Sequence, residues 1–133
     1  MEVHTERDWR SVVLFFEPGS TPEDLFEQDE PFFPADADGI VCLYARSSVV
    51  RLVVSAHDVA PPSLAALGVE YHGRPIAVHL RTGEVLTGTL MALSGHARTL
   101  DLMNQSAKSF ALHVNGEVHH IAKAYVQRIV EIR

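Results

Sequence analysis

Cysteine is nearly absent from this chain, and Cys42 is the only one. An internal disulfide framework is thereby excluded, and a reducing compartment fits the composition. Lysine is scarce too, two residues against nine arginines. No apolar run approaches the roughly 18 residues that a membrane-spanning helix needs. The opening stretch Met-Glu-Val-His-Thr-Glu-Arg-Asp lacks the basic and then apolar pattern of a signal peptide. The expectation is a cytoplasmic protein without membrane contact.

Catalytic signatures are missing as well. Pro18-Gly-Ser-Thr lacks the Gly-Lys-Ser/Thr ending of a phosphate-binding loop, and no nucleophile elbow or zinc-protease motif occurs. Asp36-Ala-Asp38-Gly is too short for a calcium loop. His119 and His120 are adjacent in an expected strand and so point to opposite faces. With His79 and His113 they show no metal-site spacing to a cysteine or acid. Cys42 sits in the apolar run Ile40 to Tyr44, without a base or an electropositive setting, and reads as a small hydrophobe. The residues therefore point away from an enzyme, and to no metal and no cofactor.

What the chain does have is one pattern twice. Shifted by 77 positions, Phe33 falls on Phe110, Gly39 on Gly116, Val41 on Val118 and Ala45 on Ala122. Arg46 falls on Lys123, Val49 on Val126, Arg51 on Arg128 and Val53 on Val130. Earlier, Arg10 to Phe16 matches Arg74 to Leu80 at a different offset. The 133 residues, 47% of them apolar, suit one compact domain or two small lobes sharing a core.

Strands are expected over Trp9–Phe16, Ile40–Tyr44, Val49–Ser55, Ile76–Leu80, Glu84–Leu93, Thr99–Met103, Ser109–Val114, Glu117–Ala122 and Val126–Ile132. Asp38-Gly39 and Asn115-Gly116 are hairpin turns, and Gly88 marks a bend inside its strand. Thr21 as N-cap and Pro22 begin a short helix to about Gln28. The segment containing Ala60-Pro-Pro-Ser63 is a linker, with one helical turn from Leu64 to Leu67. The fold expected is mostly β: two small barrel-like or bent antiparallel-sheet lobes related by internal duplication, with one or two short helices. The lobes are an acidic, Phe-rich one over 1–58 and a second over 70–133, joined by a linker over 59–69.

The second lobe resembles the Sm-like small β-barrel family. The resemblance rests on Ile76-Ala-Val-His-Leu-Arg-Thr-Gly-Glu-Val-Leu-Thr-Gly-Thr-Leu90 and on Ile121-Ala-Lys-Ala-Tyr-Val-Gln-Arg-Ile129. It covers residues 70 to 133. It implies a strongly bent five-stranded sheet, often assembled into rings that bind single-stranded RNA. The positions that would touch RNA depart from the family pattern, Ala122-Lys123-Ala124 among them.

Charge is uneven around a net value of −6. Ser11 to Ala45 carries eight acids and no Lys, Arg or His, so the first lobe should repel nucleic acid. Exposed aromatics ringed by charge are what interaction hot spots look like. Phe15, Phe26, Phe32 and Phe33, with Glu23 and Asp24, are therefore the candidate partner-binding residues. The reading that follows is a non-enzymatic protein-interaction module, an adaptor or regulatory subunit of a bacterial cytoplasmic assembly, with a protein partner or a homo-oligomer. One alternative is an Sm-like RNA-binding protein; another is a small-ligand or anion sensor. Arg46, Arg51, Lys123 and Arg128 would serve both. Those four are otherwise expected to form cross-lobe salt bridges with the acidic stretch.

Overall fold

The computed structural model describes residues 1–15, 19–55, 72–92 and 98–132. The expected linker 59–69, the helical turn Leu64–Leu67 and Phe16 lie outside the described residues.

Eleven strands are described: β1 (Glu2–Thr5), β2 (Trp9–Ser11), β3 (Val13–Leu14), β4 (Phe32–Ala37), β5 (Ile40–Ala45), β6 (Val49–Ser55), β7 (His72–Leu80), β8 (Val85–Ala92), β9 (Ser109–Val114), β10 (Glu117–Ala122) and β11 (Val126–Glu131). Two short helices join them, α1 (Asp24–Glu27) and α2 (Thr99–Met103). An eight-stranded antiparallel sheet runs β11-β7-β8-β9-β10-β6-β1-β2, and β3-β4-β5 form a second sheet. Among the described residues neither sheet closes into a barrel. Among the described residues no helix is long and apolar enough to cross a membrane.

The duplication is legible residue by residue. Strands β4, β5 and β6 map onto β9, β10 and β11 at the shift of 77. The two-residue turns match: Asp38 and Gly39 have φ of 52° and 82°, Asn115 and Gly116 46° and 80°. Both central residues are left-handed, the geometry that matches strand twist in tight hairpins. A 3₁₀ turn follows in each repeat, Arg46–Ser48 and Lys123–Tyr125. Its first N–H donates to the Pro31 carbonyl in one repeat and the Lys108 carbonyl in the other.

Two expectations are corrected. The strand that matches β7 is β1, which sequence reading missed, and not Arg10–Phe16. His4 of β1 lies opposite Arg51, as His79 of β7 lies opposite Arg128. Residues 9–14 match β8 instead. They form two short strands, because the backbone leaves the large sheet at the buried Val12, whose N–H donates to the Met1 carbonyl. Residues 99–103 are a helix and not a strand. The Asp101 carboxylate accepts from the Arg98 backbone N–H and from its guanidinium, both within 3.3 Å, which closes the first turn.

The expected first helix is present but shorter, and Thr21 does not cap it; instead the Thr21 N–H donates to Asp24 Oδ2 at 2.9 Å. Its Leu25 and Phe26 enter a core with Val3, Val12, Phe33, Ala35, Val49 and Leu52. A second core holds Ile76, Val78, Leu80, Leu90, Leu112 and Ile121. Each core borrows from the other half: Ala122 packs in the first and Val50 in the second. Burial of these aliphatic side chains, at about 1.5–3 kcal/mol each, is the main favourable term.

Gly88 has a steric reason. A Cβ there would collide with the backbone carbonyl of His113 and crowd Val114 and Leu112. Gly88→Ala is expected to destabilise the fold by about 1–3 kcal/mol, read as a lower urea midpoint. An unchanged midpoint would show that β8 and β9 can separate at no cost.

Candidate protein interface

The acidic segment before β4 is held by one cation. Arg46, at the start of its 3₁₀ turn, donates from Nε to the Glu30 carbonyl and from Nη1 to the Leu25 carbonyl. Its Nη2 donates to Gln28 Oε1 at 3.0 Å, and the guanidinium lies over the Phe33 ring, 5.4 Å from the centroid. Five-donor planarity lets one side chain bind α1 and the loop after it at once. Arg46 is therefore structural, bonded to carbonyls and an amide where carboxylates were expected.

The proposed partner-binding residues separate into two groups. Phe26 and Phe33 are buried in the first core. Phe15 and Phe32 are more than half exposed. Phe15 borders a cavity of about 300 Å³ whose walls include Leu14, Leu25, Phe33 and Arg46. Glu23 lies beside His120 of the second repeat, 3.5 Å away, so part of the acidic segment faces this chain's own other half.

That contact belongs to the seam where β10 pairs with β6. Glu117 lies opposite Ser55, Val118 opposite Val54, His119 opposite Val53, His120 opposite Leu52 and Ile121 opposite Arg51. On one face Arg51 is buried and donates from both terminal nitrogens to Glu84 Oε2, at 3.1 and 3.2 Å. The Arg51 hydrogen bonds hold the Glu84 carboxyl below its ordinary range, against the opposing effect of burial. His119 shares this face with Arg51, Glu117 and His4, and His120 faces Glu23 and His113 on the other. Neither imidazole has a hydrogen-bond partner among the described residues. Burial pushes both below the ordinary histidine value, and Arg51 adds to the effect at His119.

The remaining basic candidates do not gather. Lys123 donates to the Gln105 carbonyl at 2.9 Å, and burial lowers its pKa while Glu27 raises it. Arg128 is exposed on β11. The structure brings Arg46, Arg51, Lys123 and Arg128 to no common face that could hold an anion. The described residues contain no group of three or more His, Cys, Asp or Glu able to hold a metal ion.

An unpaired strand edge open to strand addition is expected from the sequence without its strand being named, and among the described residues the two long edge strands are β5 and β11, beside the short β2 and β3. Among the described residues β5 pairs only with β4, and β11 only with β7. Ile40, Val41 and Leu43 of β5 are 62–69% exposed, and Val130 and Ile132 at β11 are both 41% exposed. The signal was present as apolar residues at Ile40, Val41 and Leu43, but a buried strand and an open one share that pattern. Comparison with known proteins adds nothing here: no protein-family model, no curated protein and no solved structure matches the chain.

Two predictions concern the seam. Glu84→Gln leaves the Arg51 guanidinium buried against a neutral partner. The expected cost is about 1–2 kcal/mol, below the about 3–5 kcal/mol of a fully enclosed pair because Glu84 is half exposed. Chemical denaturation at pH 7.5 measures it.

The second concerns pH. His119 and His120 have folded pKa values below their unfolded value near 6.5, so the unfolded state takes up protons first as pH falls. Stability is then lost below about pH 6.5, by up to about 1.4 kcal/mol per pH unit per histidine. Glu84 adds a further loss only as pH falls through its lowered carboxyl pKa. His119→Val with His120→Leu should flatten the slope of the denaturation midpoint between pH 7 and pH 5.5. An unaltered slope would mean that these imidazoles do not carry the acid sensitivity.

Proposed function

We propose that this chain is a non-enzymatic protein–protein interaction module, an adaptor or regulatory subunit of a bacterial cytoplasmic assembly, which joins other chains by strand addition. The observation that carries the reading is β5. It is a six-residue strand with one backbone edge unpaired among the described residues and Ile40, Val41 and Leu43 exposed along it. Native edges are usually blunted by charge, proline or a covering element. From Ile40 to Ala45 this one carries no charged residue and no proline. An uncharged apolar edge is a template for another strand, whose backbone supplies affinity while alternate side-chain pockets supply selectivity. Phe32, opposite Ala45 on β4, and Phe15 extend the apolar surface.

An Sm-like character of the second half is part of this proposal. Its five-strand order β11-β7-β8-β9-β10 and the glycine within β8 support it. RNA or anion binding has weaker support. Of the four basic residues such a site would use, Arg46 and Lys123 bond to this chain's own carbonyls and Arg51 is buried against Glu84.

The test is capture of the tagged protein from its host, with and without nuclease, beside a Leu43→Glu variant. Leu43 is 69% exposed, so the variant is expected to fold. The expected result is retention of protein chains, this chain's own untagged copies included, through nuclease treatment. Leu43→Glu should reduce that retention at least about tenfold, the equivalent of 1.4 kcal/mol. Retention unchanged in the variant, or RNA recovered with the proteins lost after nuclease, would overturn the reading.

A further inference from the structure

The two repeats have the same strands but opposite burial. Every residue from Val49 to Val54 on β6 is buried, whereas β11, its match, has no buried residue. Val118 to Ala122 on β10 are buried, whereas β5, its match, has none. The cause is the seam: β10 and β6 cover one another, and among the described residues no strand covers the outer edge of β5 or β11. One chain therefore satisfies one such contact and presents the two complementary halves of another.

We propose that the partner of β5 is β11 of a second copy of this chain, paired as β10 pairs with β6. This deepens the reading of β5 as an interaction edge and rests on it. The repeat fixes the register. Moving the seam's pairs by 77 places Ile40 opposite Ile132 of the second copy and Val41 opposite Glu131. Cys42 then meets Val130, Leu43 meets Ile129 and Tyr44 meets Arg128.

Three observations support the transposed contact. First, the receiving surface is present: a groove of about 650 Å³ beside β11, lined by Leu100, Met103, Val126, Ile129, Val130 and Glu131 among others. In the first repeat the matching residues are Glu23, Phe26, Val49, Leu52, Val53 and Val54. There Ala122 of β10 packs against Phe26, Val49 and Leu52 in one core.

Second, side chains that meet in the seam have changed together. His120 lies beside Glu23 in the existing seam. Their counterparts are Leu43 and Leu100, both exposed, at 69% and 57%. A polar pair has become an apolar pair at both positions, as two groups that touch would require.

Third, the charges complement. Arg51 of one repeat pairs with Glu84 of the other. Arg128 is the counterpart of Arg51. Asp8 is the counterpart of Glu84, because Trp9 lies opposite His4 as Val85 lies opposite His79. Asp8 is exposed, and the nearest cation it pairs with is Arg10 at 3.9 Å. Across the new contact Asp8 would meet Arg128 of the second copy. The contact is head to tail, so each copy offers β5 to one neighbour and β11 to another, and chains add without a two-fold axis.

The register gives a direct test, because Cys42 is the sole cysteine. In the full-length chain, Val130→Cys sets a second thiol directly opposite Cys42 of the neighbour, within the reach of a disulfide. Mild oxidation should give a ladder of covalent multimers that disappears when Cys42→Ser is added. Glu131→Cys, on the other face of β11, should cross-link at least about tenfold less.

Sedimentation supplies the second measurement. The wild-type chain should exceed the mass of one chain, and Leu43→Glu and Leu100→Glu should each sediment as single chains. Mixed, these two variants should form a 1:1 dimer, since one retains β11 and the other β5. A wild-type chain that sediments alone at every concentration overturns the inference. So does self-association in which the Val130→Cys chain forms no cross-link to Cys42, or failure of the two variants to pair. If the wild type sediments alone while Leu43→Glu still loses host proteins, the interaction reading stands and only the second copy is refuted.

Discussion

Strand β6 is covered on both backbone edges, by β1 on one side and β10 on the other, and the whole molecule is organised around that fact. Its residues from Val49 to Val54 are all buried. Val49 and Leu52 pack into the first core and Val50 into the second, so the strand ties the two cores together. Neither half, at roughly 60 residues, would bury enough surface to be robust alone. The β10–β6 pairing makes one sheet of eight strands out of two small units. It also places Arg51, His119 and His120 in a stretch of low dielectric, with the half-exposed Glu84 at its rim.

Polar groups at this seam serve selectivity of pairing more than strength. A hydrophobic pair of equal volume would often be as stable as the Arg51–Glu84 pair. An uncompensated guanidinium, however, disfavours any register that separates the two, and a slip of one residue would turn β10's apolar set to the wrong face. The two imidazoles act in the same sense. Their rings fill space as neutral groups, and burial, which holds their pKa values down, makes the seam sensitive to acid.

Much of the fold is legible in the sequence, and the reasons are local. Asp38-Gly39 and Asn115-Gly116 specify their turns through positive φ, and the repeat specifies which strands correspond. Gly88 is expected to mark a bend, and its steric reason, the close approach of the His113 carbonyl, comes from a neighbouring strand. Where reading failed, the deciding contact was distant in sequence. Glu2 to Thr5 has little apolar character of its own and becomes a strand because β6 and β2 flank it. Thr99 to Met103 alternates like a strand, and Asp101 folding back on Arg98 turns it into a helix. Phe26 and Phe33 look like surface anchors in an acidic segment until Arg46 draws that segment over them. Which strands lie at the edges was invisible for a similar reason: hydropathy registers an apolar strand, and only topology says whether anything lies beside it.

The seam has a consequence for synthesis. β6 ends at Ser55 and its partner β10 begins at Glu117, so some sixty residues are made after β6 before its mate exists. During that interval the first unit holds an apolar strand with an open edge, the condition under which nascent chains are drawn to chaperones or to each other. On a crowded polysome the nearest matching strand belongs to a neighbouring chain. Exchange of β10 between neighbours is therefore the characteristic misassembly of this architecture, and slow translation between residues 55 and 117 would favour it.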